Sequence, residues 1–466
     1  RDSGTTLVPR LHLKEGGPRV FRREAQRITL GGIDFVVPTR YQSFRLIATN
    51  PHGALCAADD TAGNSQVVIR KHRCSSRHQL AAYRRVLREV RILRHLHHEN
   101  LVQVIDIFLS DAEEAVYTVN GVMDTDLGVI LRSPQTLTDD HCQFFFYQIV
   151  RGLKFLHSAN VVHRDLRTSN CIVDSHCDLR ICCLGTARVV GAAEPHDTPD
   201  SHAISVPWYR APEVLTSWKG CSQPADLWAL GCILAELYLR RPFLPGATTL
   251  EQLQLSIGVT GSPNAATGDL DHLPPGAKTR SMIETRLQGR QPMDLQATFT
   301  PSPDAPRRGA SRINGRRPQA IAAPPAMTDL LGKLLRFVPS QRATAVECLL
   351  HEYMSELHCE DDEPSAPPLD PAEFGFEKPD LTLAECAAEL NREMIRLVGP
   401  LAMETIEAVD IHTSSEASTR DSPGQPGNES PSRGEQTWMW FTQFPDIPAV
   451  ASLTPRLRRG CSKLLA

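Results

Sequence analysis

Short apolar runs separated by polar breaks occupy the first third of the chain. After a basic, unpatterned stretch at 1–30, the first sustained apolar run is 33–37, interrupted only by Asp34, and it leads through Pro38 into 41–50. Order is therefore expected to begin near residue 30. Runs at 44–48, 54–58 and 66–69 carry strand-like patterning between polar, Gly or Pro breaks, which predicts a small antiparallel sheet. At 82–96 the period changes: Val86, Leu87, Val90, Leu93 and Leu96 recur among arginines at helical spacing, predicting one amphipathic helix. Two further strand-like runs follow at 102–108 and 115–122. Beyond Leu127 helical patterning dominates, notably at 141–158 and 225–239, with a loop-rich stretch at 159–213 between them. The span 261–325 is rich in Pro, Gly, Ala and Arg, helical patterning resumes at 328–353, and the chain turns acidic at 360–363. The Ser/Gly/Pro tract at 412–436 cannot bury enough apolar surface to offset chain entropy, so disorder is expected there and onward to the end.

Composition narrows the function classes. With 466 residues, 41% hydrophobic and 22% charged, the chain can bury a large core, and its net charge of -4 gives no global drive toward nucleic acid or an anionic membrane. No apolar run reaches the length of a membrane span. The 13 cysteines, an odd number, lack the paired spacing of a zinc or redox motif. Reduced thiols are the better reading, and they place the chain in the cytosol or nucleus.

Chemistry concentrates in the loop-rich stretch. It reads His163-Arg164-Asp165-Leu166 with Asn170 five residues after the aspartate, followed by Ala211-Pro212-Glu213 and by Asp226-Leu227-Trp228 with Gly231. This spacing resembles the catalytic loop of protein kinases, in which the aspartate accepts the proton of the substrate hydroxyl and the asparagine holds a metal ion on the ATP phosphates. The resemblance implies an α+β, bilobal fold, with an antiparallel sheet and one helix in the first lobe and a mainly helical second lobe. Segments 35–42, 87–100, 162–170, 208–213, 225–236, 242–246, 361–364 and 374–383 resemble mitogen-activated protein kinases, and the similarity covers about 30–396. The implied organisation is an unstructured basic start at 1–30 and a first lobe at 31–126. A second lobe at 127–353 carries a Pro-rich insert within 247–325. An extension at 354–397 packs back on the kinase domain, and 398–466 forms a disordered tail.

The same resemblance assigns roles. Asp165, Arg167 and Asn170 are the implied catalytic group, with Asn170 on the metal. Ile47, Leu55, Arg70, Glu89, Met123 and Asp126 are implied at the nucleotide. Arg164, Thr198 and Ser201 belong to the activation segment, and Glu360, Asp361, Asp362 and Glu363 fall where the family docks partners with basic motifs. ATP and magnesium are the implied cofactors, weakly held or lost, and pathway proteins the implied partners, with neither nucleic acid nor membrane among them.

Several implied positions have changed. The glycine-rich loop reads Ile47-Ala48-Thr49-Asn50-Pro51-His52-Gly53, so side chains crowd a backbone that should approach phosphates, and Pro51 has no N–H. Arg70 stands for the strand lysine, and alternation points the neighbouring Lys71 to the other face. Cys183 stands for the metal-binding aspartate, a thiol where a hard cation needs oxygen. The tyrosine of the phosphorylation pair is absent at 201–203, and Pro207 replaces an arginine beside the substrate pocket. Architectural positions, Glu213 with Arg342 and Asp226, are intact. His95, His97 and His98 lie at a helix-to-strand corner and are expected to be structural, as are Cys182 and Cys183 as small buried residues. The reading is a catalytically impaired scaffold or docking partner in phosphorylation signalling. The alternative is an active Ser/Thr kinase using Asp165 as base.

Overall fold

The computed structural model describes residues 6–7, 25–50, 53–72, 79–110, 115–192, 207–216, 222–273, 278–300 and 320–398. Its strands are β1 (Thr6–Leu7), β2 (Ala25–Leu30), β3 (Ile33–Pro38), β4 (Tyr41–Asn50), β5 (Gly53–Asp60), β6 (Ser65–His72), β7 (Val104–Ser110), β8 (Ala115–Gly121), β9 (Thr125–Asp126), β10 (Val161–Val162), β11 (Cys171–Val173), β12 (Leu179–Ile181) and β13 (Arg188–Val189). Its α-helices are α1 (Gln79–His95), α2 (Leu127–Arg132), α3 (Asp139–Ser158), α4 (Pro212–Thr216), α5 (Gln223–Leu239) and α6 (Thr249–Thr260). They continue with α7 (Lys278–Arg286), α8 (Leu295–Thr298), α9 (Pro325–Leu334), α10 (Ala345–Leu349) and α11 (Leu383–Val398). Among the described residues no helix is long and apolar enough to cross a membrane.

Two units form. The first draws on described residues within 1–83, 104–122 and 383–398. Its five-stranded sheet runs β4-β5-β6-β8-β7 with every pairing antiparallel, and α11, which buries Cys386, Leu390 and Met394, packs against β7. The aromatic core stacks Phe108 on Tyr117 at 4.8 Å, and the Tyr117 hydroxyl accepts from the Val36 N–H at 3.1 Å. Order begins before residue 30, contrary to the expectation for 1–30: β2 pairs with β3 from Leu30↔Ile33 to Ala25↔Pro38. The connection is Gly31-Gly32, both with positive φ (58° and 79°), the two-residue turn whose twist suits a hairpin.

The second unit draws on described residues within 84–103 and 123–382, and it includes α1 from Arg84 onward. Helix α5 is buried along 225–238, a core helix apolar on all sides, and α3 packs on it. Arg240 follows α5 with φ 56° and donates to the carbonyls of Ile130 and Leu131 in the last turn of α2 and of Ser133 and Gln135 just beyond it. Glu213 and Arg342, both buried, meet in a two-pronged ion pair with both contacts at 2.7 Å. The Pro-rich span is ordered over much of its length: Leu253, Ile257, Leu270, Leu273, Ile283, Leu287 and Phe337 form a core of their own. The chain after α10 lies along this unit. Leu369 N–H donates to Ala159 O at 3.0 Å, and Arg88 of α1 grips Glu377 with two guanidinium nitrogens, one at 2.8 Å. The tail beyond 398 lies outside the described residues.

Candidate functional site

The loop between β10 and β11 is shaped by one buried carboxylate. Asp226, at the start of α5, accepts from the backbone N–H groups of His163 (2.8 Å) and Arg164 (2.9 Å) and pairs with His157 Nε2 at 3.0 Å. Burial opposes its charge, but the His157 contact and the nearby positive potential outweigh it, and its pKa lies below the usual carboxylate value. Arg164 is held at φ 70°, a left-handed conformation uncommon outside glycine. His163, fully buried, donates from Nε2 to Cys182 O at 3.0 Å, which leaves Nδ1 to accept from the Asp165 N–H at 3.3 Å.

These bonds bring Asp165, Arg167 and Asn170 together. Asn170 Nδ2 donates to Asp165 O (2.7 Å) and to Asp165 Oδ2 (3.0 Å), and Arg167 Nε stands 3.5 Å from the same Oδ2. Asn170 is buried, whereas the Asp165 and Arg167 side chains are partly exposed. The Cys182 N–H donates to Asn170 O at 2.9 Å, so the next segment is pinned to the loop. There Cys183 has φ 68° and ψ 43°, and its sulfur lies 3.6 Å from that of Cys182. A Cβ on Gly185 would come within 3.2 Å of Arg85 O and 3.5 Å of Glu89 Oε2, which explains the glycine by close approach to α1. Arg88 donates to the Gly185 carbonyl.

A second polar cluster lies beside the loop, and the sequence reading missed it. Tyr209 donates to Glu236 Oε2, while Thr168 Oγ1 stands 3.1 Å from Tyr209 Oη and 3.5 Å from Glu236 Oε1. Burial pushes Glu236 up to about 7 against these hydrogen bonds. The one acid within the apolar run 227–239 was the signal available. Asp126 caps α2 by accepting from Val129 N–H at 2.9 Å; its other oxygen has no partner, and burial raises its pKa to about 6.

In the sheet unit, pairing sets Ala48, Leu55 and Arg70 in one cross-strand row, with Ile47 at an irregularity beside it. Leu55 is buried, Ile47 and Arg70 half-buried. Lys71 leaves by the opposite face, where its Nζ donates to Asp34 O at 2.6 Å. Met123 is half-buried and Glu89 buried. Thr198 and Ser201 lie outside the described residues. Of the acidic run, Glu360 and Asp361 are exposed and Asp362 half-exposed. Glu363, expected with them on the docking patch, is instead buried, its carboxylate accepting from Tyr147 Oη (3.1 Å), His358 Nδ1 (2.9 Å) and the Cys359 N–H (3.1 Å), which leaves it out of reach of a docking motif. His98 is also structural, its ring 4.8 Å from that of Phe155 and its pKa lowered to about 4, chiefly by burial.

Comparison with known proteins gives a consistent picture. Residues 52–354 match the family model described as protein kinase domain. The chain is 38% identical over 368 residues to extracellular signal-regulated kinase 1 of Dictyostelium discoideum, covering 78% of this chain and 62% of that protein. It is 35% identical over 351 residues to mitogen-activated protein kinase 2 of Pneumocystis carinii, covering 74% and 92%. Against mitogen-activated protein kinase spk1 of Schizosaccharomyces pombe the identity is 35%, over 78% and 91% of the two chains.

Proposed function

This chain belongs to the protein kinase family as a member similar to mitogen-activated protein kinases, and from that membership we propose that it serves phosphorylation signalling as a catalytically impaired scaffold or docking partner. The observation that carries the reading is Cys183: a thiol occupies the place of the metal-binding carboxylate. Magnesium prefers oxygen ligands and sheds water reluctantly, so sulfur is a poor replacement. The Asn170 amide nitrogen donates to Asp165, which leaves its side-chain carbonyl oxygen as the one oxygen ligand the two positions still offer. Phosphoryl transfer consists largely of positioning and of neutralising phosphate charge, and Arg70 offers a planar fork where a compact ammonium would sit. The donor set therefore does not fit a magnesium-bound nucleotide.

Partner binding rests on Glu360, Asp361 and Asp362, which offer accessible negative charge to a basic docking segment. A cytosolic or nuclear setting is supported by the ten described cysteines, all thiols. The competing reading, an active Ser/Thr kinase with Asp165 as base, draws on the intact contact between Asp165 and Asn170. Phosphotransfer from radiolabelled ATP to a generic protein substrate separates them. The expected result is wild type no more active than Asp165→Asn, with Cys183→Asp raising transfer. Transfer by wild type that Asp165→Asn abolishes would replace the scaffold reading with the active one.

A further inference from the structure

Cys182 and Cys183 are adjacent in sequence, and their sulfurs lie 3.6 Å apart. Cys182 is 9% exposed, while Cys183 is more open to solvent. We propose that this pair is a reversible thiol–disulfide site, oxidised by a hydroperoxide to a ring between neighbouring residues. The inference does not depend on whether phosphoryl transfer is lost.

The chemistry balances without a further reagent. The more accessible Cys183 thiolate attacks the peroxide, forming S–O as O–O breaks and hydroxide leaves, which gives a sulfenic acid. Cys182 then attacks the Cys183 sulfur; S–S forms, S–O breaks, and water leaves with the thiol proton. In sum, two thiols and one hydrogen peroxide give one disulfide and two waters. Bond formation requires the sulfurs to close from 3.6 Å to about 2.05 Å.

Reversibility follows from the backbone. Consecutive Cα atoms across a trans peptide are about 3.8 Å apart, short of the roughly 4.4–6.8 Å that disulfides favour, so the ring is strained and readily reduced. The change would not stay local. Cys182 is tied to the 163–170 loop through the peptide units before and after it, by its N–H to Asn170 O at 2.9 Å and by its carbonyl to His163 Nε2 at 3.0 Å. Closure of the ring pulls on both bonds and so couples the redox state to the loop that carries Asp165.

The test uses the full chain. Trypsin cuts after Arg180 and Arg188, releasing residues 181–188 with these two cysteines and no others. After treatment of the reduced protein with hydrogen peroxide and alkylation of remaining thiols, this peptide is expected to have lost two hydrogens and to escape alkylation. Dithiothreitol should restore both thiols. Phenylarsine oxide, which bridges two thiols within reach of each other, should place one arsenic on the same peptide of the reduced protein, and Cys183→Ser should remove both signatures. The proposal is overturned if 181–188 stays doubly alkylated after peroxide, or if Cys183 is trapped only as a dimedone-reactive sulfenic acid. Pairing of Cys183 with a cysteine other than Cys182 would overturn it equally. The wild-type measurements decide the matter even where the serine variant fails to fold.

Discussion

Asp226 shows how one side chain can set a loop it does not belong to. It is buried, and it supplies acceptors for the His163 and Arg164 N–H groups, which have no neighbouring strand to satisfy them. Replacing it with Asn keeps one acceptor and turns an amide donor toward a second donor, so at least one buried N–H is orphaned. The expected loss is about 1–3 kcal/mol of stability for each unsatisfied group, read as a lower urea midpoint for Asp226→Asn. A midpoint within error of wild type would mean that the cap is dispensable. At Cys183 the backbone takes a left-handed φ of 68° beside Cys182, whose N–H is bonded to Asn170 O, and the side chain there is a thiol. The scaffold proposal rests on that thiol standing at an ordered position of the loop.

Helix α1 and the chain after α10 present the same logic at the scale of elements. Arg84, Arg88, Arg91 and Arg94 recur along α1 and reach Lys378 O, Glu377, Glu373 O and the Glu373 carboxylate in turn. The pair of Arg88 and Glu377 is buried at 5% and 1% exposure, and Arg88 also binds Gly185 O. Breaking a buried pair from one side leaves an uncompensated charge, so Glu377→Ala is expected to cost about 3–5 kcal/mol. It should also speed hydrogen exchange across 371–382. Unchanged exchange there would show that Arg88 does not hold the segment. Arg342→Ala, which strands Glu213, is expected to cost a similar amount, about 3–5 kcal/mol, by denaturant titration, whereas a loss below about 1 kcal/mol, the level of a surface pair, would contradict the burial argument.

These elements also show what a local pattern reveals. The helix expected over 82–96 is found at Gln79–His95, and that over 141–158 at Asp139–Ser158, because a buried stripe at helical period writes itself into neighbouring positions. The loop motif was legible because its spacing is fixed by chemistry. Strand β2 was obscured by the basic residues around it, although Gly31-Gly32 was a readable turn signal. Contacts such as Arg88 with Glu377, or Thr168 and Tyr209 with Glu236, join residues far apart in sequence and leave no local period. The acidic run 360–363 looked uniform, and only packing separates buried Glu363 from its exposed neighbours.

For the molecule as a whole, buried carboxyls tie stability to pH. Glu236 rises from an ordinary 4.5 to about 7, mainly through burial, and Asp126 from 3.8 to about 6 for the same reason. The groups facing Glu236 are Tyr209, Thr168, Arg132 and Asp126, with the thiols of Cys171 and Cys232 nearby. An acid with a raised folded-state pKa contributes its stability fully below the unfolded value and loses it as pH rises through the folded one. The stability contributed by Glu236 should therefore fall between pH 4.5 and about 7. Glu236→Gln, which keeps an acceptor for Tyr209 and cannot ionise, should flatten that fall relative to wild type in melting curves taken across the range. Parallel curves for the two proteins would contradict the assignment.

The proposed loss of function rests on two substitutions, a thiol at Cys183 and a guanidinium at Arg70, in a chain that keeps its other kinase motifs. The most direct measurement is a thermal-shift titration of the full chain with ATP, with and without magnesium, on wild type and on Cys183→Asp combined with Arg70→Lys. A ligand that binds only the native state at a hundred times its Kd adds about 2.7 kcal/mol, enough to move a melting temperature visibly. The account predicts an unmoved wild type and a magnesium-dependent rise in the double variant. A magnesium-dependent rise in the wild type itself would contradict it.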